Sequence, residues 1–233
     1  MPKPPGERIK IAGVDAYALA AGALWLDHAR TLVVSDLHLE KGSSFAARGQ
    51  LLPPYDTRQT LARVKRLIDA LSPDVVISLG DSFHDPRAEG RLSAADTATI
   101  RALTGACDWV WIEGNHDPIP PAHLGGRAAQ TLTLGGLTFV HEPTEGSARG
   151  EVAGHLHPSA KVRGRGRAVR RRCFATDGSR MILPAFGAYT GGLNVRDVAF
   201  KPYFPNPSAF RALALGDARV YALARTALLS DRA

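Results

Sequence analysis

Cysteine is scarce: the 233 residues hold only Cys107 and Cys173, and neither stands in a Cys-x-x-Cys or other ligand spacing. That argues against a disulfide framework or a thiolate metal site and fits a reducing cytoplasm. Long apolar runs are missing as well. The best stretch, Ala16 to Leu26, is bounded by Asp15 and Asp27 and falls short of the ~20 residues of a membrane span, so no membrane partner is expected. Asp15 also interrupts it soon after the basic start Lys3 to Lys10, which argues against a secretory leader. There is no internal repeat and no linker that would divide the chain. With 45% hydrophobic and 22% charged residues it can bury one substantial core. The expected organisation is a mobile tail over residues 1–8, a single domain over 9–225 and a second tail over 226–233.

What is present is a set of polar groups placed at the ends of apolar runs. Trp109 to Ile112 leads into Gly114-Asn115-His116-Asp117, which packs an amide oxygen, an imidazole and a carboxylate into three successive residues. Four more runs end in the same manner. Leu32 to Ser35 leads into Asp36-Leu37-His38, where strand alternation would point the Asp and the His the same way. Val75 to Leu79 leads into Gly80-Asp81, where the glycine lets the backbone turn closely. Leu137 to Val140 leads into His141, and Val152-Ala153 into Gly154-His155-Leu156-His157. Any one of these alone reads as a turn or a boundary histidine, whereas together they read as a metal site at the carboxyl ends of strands. Carboxylate, amide and imidazole ligands without thiolate suit manganese, iron or zinc. Seven such ligands exceed what one open ion needs, so two ions are expected.

Those five segments resemble, in full and in order, the signature of the calcineurin-like metallophosphoesterases. The resemblance implies a four-layer α/β/β/α sandwich of two packed mixed sheets flanked by helices. It implies Asp36, His38 and His157 as ligands of one ion, Asn115, His141 and His155 as ligands of the other, and Asp81 as the bridge. His116 resembles the residue that contacts the phosphate and protonates the leaving oxygen, with Asp117 orienting it. A narrower resemblance lies in Leu39 to Ala46, Leu51 to Thr57, Leu183 to Gly187 and Gly191-Gly192. These segments are similar to the bacterial ligase-associated DNA damage response endonuclease (PdeM) family, which implies DNA as substrate and a DNA-repair ligase with its associated nuclease or helicase as partners.

Periodicity gives the surrounding elements. Ile9 to Ile11, Tyr17 to Leu19 and Leu24 to Leu26 read as short strands. From Asp56, the apolar positions Leu61, Val64, Leu67, Ile68 and Leu71 repeat at helical spacing until Ser72-Pro73 stops them, and Ser93 heads a second helix before the Trp109 strand. The β-α-β order predicts that the strands carrying Asp36 and Asp81 are parallel neighbours. After Gly125-Gly126 the pattern changes to hairpins, with a Gly135-Gly136 turn between Thr131 to Leu134 and Leu137 to Val140. His84, Asp85, Tyr55 and Arg48 could reach the substrate or serve turns.

The one low-complexity tract runs from Lys161 to Arg172 and carries seven cations and no acid, equal to the formal net charge of +7 for the whole chain. Arg163, Arg165, Arg167, Arg170, Arg171 and Arg172 are the candidate nucleic-acid contacts, since such a field draws a polyanion. The alternatives are a solvated hairpin or a subunit contact in a homodimer. Together these readings predict a phosphodiesterase dependent on two divalent ions, manganese foremost, that acts on DNA. A phosphoesterase for a small nucleotide and a metal-free interaction module are the rivals, and the intact ligand pattern speaks against the second.

Overall fold

Val33, Ile77 and Val110 leave their strands on one side, and Leu32, Val34, Val76, Trp109 and Trp111 on the other, so alternation divides the apolar residues between two cores. The computed structural model describes residues 6–50, 52–119, 121–164 and 166–231. Among them, one sheet contains β1 (Gly6–Ile11), β2 (Val14–Leu19), β3 (Leu24–Leu26), β4 (Thr31–Ser35), β5 (Val75–Leu79), β6 (Asp108–Ile112) and β7 (Arg127–Ala129), hydrogen-bonded in that order. The strands are antiparallel as far as β4 and parallel from there on. The second sheet contains β8 (Leu132–Leu134), β9 (Leu137–Phe139), β10 (Glu151–Ala153), β11 (Pro158–Arg163), β12 (Ala168–Thr176), β13 (Met181–Ile182) and β14 (Leu193–Asn194). Its last hairpin, β15 (Arg211–Leu215) with β16 (Val220–Ala224), joins through β12.

The inner core lies between the sheets, where Val33, Ile77 and Val110 meet Phe139, Val152, Phe174 and Leu213. After the short α1 (Lys41–Ala46), helices α2 (Asp56–Leu71) and α3 (Ala94–Gly105) cover the other face of the first sheet through Leu61, Val64, Ile100 and Leu103. Ser93 caps α3 by accepting the Asp96 N–H at 3.0 Å, an interaction worth about 1 kcal/mol. Ser72, in the left-handed region, closes α2 with its N–H on the Ile68 carbonyl. The outer face of the second sheet packs on Val195, Phe200, Phe204 and Phe210, a segment that is mostly irregular apart from a 3-10 turn at Val198–Phe200. Two packed mixed sheets with helices on the outside of the first are the sandwich that the resemblance implies.

Register decides where the site forms. Ser35 pairs with Leu79, and Leu79 with Ile112, so β4, β5 and β6 end level and release Asp36, Asp81 and Asn115 side by side. Across the sandwich, β9 and β10 are parallel with Val152 opposite Phe139, so His141 and His155 also leave from one end.

Of the two expected tails, residues 1–5, 232 and 233 lie outside the described residues, and the described remainder is held by the fold. Gly6, Glu7 and Arg8 already pair with β2, because an antiparallel partner satisfies their backbone whatever their polarity. At the other end Leu228 is buried against the outer core, the Leu229 N–H donates to the Lys161 carbonyl, and Asp231 pairs with Arg170. No helix among the described residues is long and apolar enough to cross a membrane, and Ala16 to Leu26 is spent on β2 and β3.

Candidate metal centre

The ligand spacing works, but not by strand alternation. β4 ends at Ser35 and β10 at Ala153, and Asp36, His38, Asp81, His155 and His157 all have φ between 44° and 67°, in the left-handed region. Each such turn costs a non-glycine residue about 1 kcal/mol or more and turns the side chain back over the strand ends. Two glycines make the close approach feasible. A Cβ on Gly80 would overlap the His141 ring, and one on Gly154 would overlap the Ser35 hydroxyl.

Two donor clusters result, one of Asp36, His38, Asp81 and His157 and one of Asp81, His141 and His155, with Asp81 common to both. In the first, His157 Nε2 lies 3.1 Å from Asp36 Oδ1 and 3.3 Å from His38 Nε2. In the second, His141 Nε2 lies 3.4 Å from Asp81 Oδ1, 2.9 Å from Asn115 Oδ1 and 3.3 Å from His155 Nδ1. Asn115 Oδ1 also sits 3.0 Å from His155 Nδ1, so the structure brings all seven expected ligands together. Imidazole nitrogens that converge on one another and on carboxylate oxygens are the arrangement a divalent cation satisfies, and the donor set fits two such ions. The carbonyl of Leu79, 2.9 Å from His141 Nδ1, accepts its N–H and leaves Nε2 for the cluster.

The protonation states carry the same signature. Burial opposes ionisation of Asp36, yet the neighbouring His157 and His141 and the Ser35 hydroxyl hold its pKa below the ordinary value. Burial likewise opposes Asp81, but the hydrogen bond and charge of His141 bring it down to about 2. His141 is raised to about 9 despite burial, because Asp81 and Asp36 both face it. His38 is pushed down to about 3, chiefly by burial, and is neutral at pH 7.

His116 is at the open edge of the centre, with its Nε2 4.0 Å from Asp81 Oδ2 and its ring stacked on His84 at 5.6 Å. The carbonyl of His84, not Asp117, orients it: the oxygen lies 2.8 Å from His116 Nδ1. Asp117 instead accepts the N–H groups of Ser82 at 2.9 Å and Phe83 at 3.1 Å, which ties down the loop after Asp81. Burial, then the charge of Asp81, raises the Asp117 pKa to about 7. The role of the His84 carbonyl is a backbone effect with no signal in the residue type. Asp85 serves a turn, accepting the Arg87 N–H, and pairs with Arg91 at 2.7 Å. Tyr55 and Arg48 are exposed.

The basic tract is a hairpin, β11 against β12, but its cations differ in what they touch. Arg172 turns inward and does not join the surface patch: it donates to the carbonyls of Ala185, Gly187, Ala188 and Thr190 at 2.8–3.2 Å. Strand alternation puts it on the face of Phe174, toward the inner core, which a count of charges along the chain does not register. Arg170 pairs with Asp231 and donates to the Gly192 carbonyl at 3.1 Å. Arg163, Arg167 and Arg171 are exposed, and Arg165 lies outside the described residues.

Residues 29–166, more than half of the chain, match the calcineurin-like phosphoesterase family, and the chain belongs to that family. It is similar to the solved structure of Pseudomonas putida nuclease MPE, at 29% identity and a TM-score of 0.71, over 94% of this chain and 100% of that one. It also matches the E. coli phosphoesterase Yfce at 18% identity and a TM-score of 0.42, over 83% of this chain and 98% of that one. No curated protein matches.

Proposed function

We propose that the protein is a dinuclear-metal phosphodiesterase that cuts nucleic acid, acting as a DNA endonuclease in repair. The observation that carries this reading is the pair of donor clusters joined at Asp81, with the Nε2 edge of His116 beside them. In it Asp36, His38 and His157 would hold one divalent ion and Asn115, His141 and His155 the other, with Asp81 common to both clusters. Oxygen and imidazole donors suit manganese, with iron and zinc as alternatives. When bound, such a pair of ions supplies an activated water and positive charge for the phosphoryl oxygens.

The chain itself positions the substrate and moves one proton. The His84 carbonyl keeps the Nδ1–H of His116 engaged, so the protonated Nε2 faces the reacting phosphate and gives its proton to the departing oxygen. Asn115 is a neutral donor, so only two carboxylates enter the set and the loaded centre stays positive, which favours an anionic substrate. The likeness to the P. putida nuclease and the exposed Arg163, Arg167 and Arg171 support a polynucleotide.

The test is a substrate panel of bis-nitrophenyl phosphate, nucleotides, single strands, duplexes and plasmid, with metals added singly. Manganese-supported cleavage inside a DNA strand is the expected result. Hydrolysis confined to nucleotides and small esters would replace the nuclease reading with that of a small-molecule phosphoesterase.

A further inference from the structure

Between the end of α1 and the loop that follows Asp81 lies a cleft of about 550 Å³, lined by Ser44, Arg48, Asp85, Pro86, Arg87 and Arg91. Its three guanidinium groups differ in what they meet. Arg91 is spent: it donates to both Asp85 carboxylate oxygens, at 2.7 and 3.1 Å, and to Ser43 Oγ at 2.9 Å. Burial opposes ionisation of Asp85, yet Arg91, Ser44 and the Arg87 N–H hold its pKa at about 2, so it stays a carboxylate matched by Arg91. Arg48 and Arg87 are exposed, and neither guanidinium has a partner among the described residues. The cleft therefore carries two uncompensated positive charges. Both stand on fixed backbone. Just past α1, the Arg48 N–H donates to the Phe45 carbonyl at 3.0 Å, and Gly49, in the left-handed region, ends the helical turn. Arg87 follows Pro86, and its own N–H donates to Asp85 Oδ1 at 2.9 Å.

One side chain, His84, separates this cleft from the metal centre. Asp85 follows His84 in the chain, and Phe45, next to Ser44, meets the His84 ring at 6.0 Å. The same ring lies 5.5 Å from that of His38 and 5.6 Å from that of His116. The field of the cleft crosses this short gap: burial first, then the charge of Lys41, and after His116 that of Arg48, bring the His84 imidazole down to about 4. The β11–β12 hairpin starts elsewhere, directly after His157, whose ring is 5.1 Å from that of His38. A strand with its reacting phosphate at the donor clusters carries further phosphates on either side. Guanidinium forks match phosphate oxygens two at a time, so a pair of unmatched arginines so near the centre suits one of them. We propose that Arg48 and Arg87 bind a backbone phosphate of the nucleic-acid strand outside the reaction centre, at a docking site separate from the hairpin. This inference rests on the nuclease reading.

End-labelled single strands test it, each with one uncharged methylphosphonate linkage, stepped along the chain from strand to strand. With manganese-loaded wild-type protein, cutting at a given linkage should fall about tenfold when the linkage at a fixed offset from it is uncharged, the scale of one charge-assisted contact. In the double variant Arg48→Gln, Arg87→Gln, which alters two exposed side chains, the unmodified strand should be cut about tenfold more slowly and the sensitivity at that offset should vanish. Hydrolysis of bis-nitrophenyl phosphate, which has no second phosphate, should not change. The charge-preserving pair Arg48→Lys, Arg87→Lys should recover part of the offset effect. A wild-type footprint confined to the cut linkage overturns the site, and so does a footprint that the double Gln variant leaves intact. A wild type that hydrolyses bis-nitrophenyl phosphate but cuts no strand overturns the nuclease reading, and the docking site with it.

Discussion

The imidazole of His141 has two anionic neighbours, with Nε2 3.4 Å from Asp81 and Nδ1 4.0 Å from Asp36. Its pKa of about 9, reached against the cost of burial, means that a proton supplies part of the positive charge that the two carboxylates attract. A divalent ion that takes Nε2 has to displace this proton. Below the raised pKa the proton competes with the metal, so metal affinity should climb about tenfold per pH unit as pH rises through neutrality, and flatten once His141 is deprotonated. Manganese titration across that range, with proton release measured in buffers of different ionisation enthalpy, checks the slope. An affinity independent of pH would remove His141 from the ligand set. His116 behaves differently, since it belongs to neither donor cluster. His116→Ala should keep its metal and lose roughly 10²–10⁴ in rate on a nucleic-acid linkage. A nitrophenyl ester, whose leaving group barely needs a proton, should suffer less, and equal losses on both would argue against the acid role.

At the scale of elements, the site depends on a loop that supplies none of the expected metal ligands. Phe186 N–H donates to the Ser35 carbonyl at 2.7 Å and Gly187 N–H to the Asp36 carbonyl at 3.1 Å, which fixes the left-handed turn that aims Asp36. Arg172 of β12 grips this loop from one side, and Arg63 of α2 from the other, donating to the Phe186 carbonyl at 2.8 Å while lying over its ring. Arg172→Met keeps the apolar stem and leaves four carbonyls short of a donor, so it should destabilise the fold by roughly 2–4 kcal/mol. Manganese affinity should fall with it, as Asp36 loses its backing, and Arg172→Lys should recover part of both. Unchanged melting and unchanged metal binding would show that the clamp is idle. The same loop marks how far the sequence could be read. Short-range periodicity located α2 at Asp56–Leu71 and the level strands β4 to β6, and with them the strand ends that carry the ligands. Continued alternation and the left-handed turns found after those strands both make residues two apart converge, so the spacing alone does not distinguish them. β15 and β16 escaped notice because alanine-rich alternation is faint and their partner, β12, is remote in the chain. The Arg172 clamp escaped because only the packed sheet decides which face a strand residue takes.

For the whole molecule, the positive charge is less concentrated in function than in sequence. The net charge of +7 traces to the Lys161–Arg172 tract, yet Arg172 serves the core and Arg170 is matched by Asp231. Arg163, Arg167 and Arg171 remain as exposed described cations, and the β11–β12 register puts Arg163 and Arg171 on opposite faces of the hairpin. If all three meet duplex phosphates, the hairpin lies between two phosphate rows, and changing all three to Gln should flatten the plot of log affinity against log salt by roughly 2–3 units. Docking through one face predicts an asymmetry instead: either Arg171→Gln or Arg163→Gln would leave the slope unmoved. Position adds a second condition. β11 starts directly after His157 and runs away from the centre, so Arg163 stands roughly 20 Å along the strand from that ligand. A duplex must extend roughly six base pairs from the scissile phosphate to reach it. The arginine changes should therefore weaken binding of long substrates and leave substrates shorter than that reach untouched. Measured with a duplex length series at several salt concentrations, a loss that is equal at every length would assign these arginines to long-range attraction and not to contact.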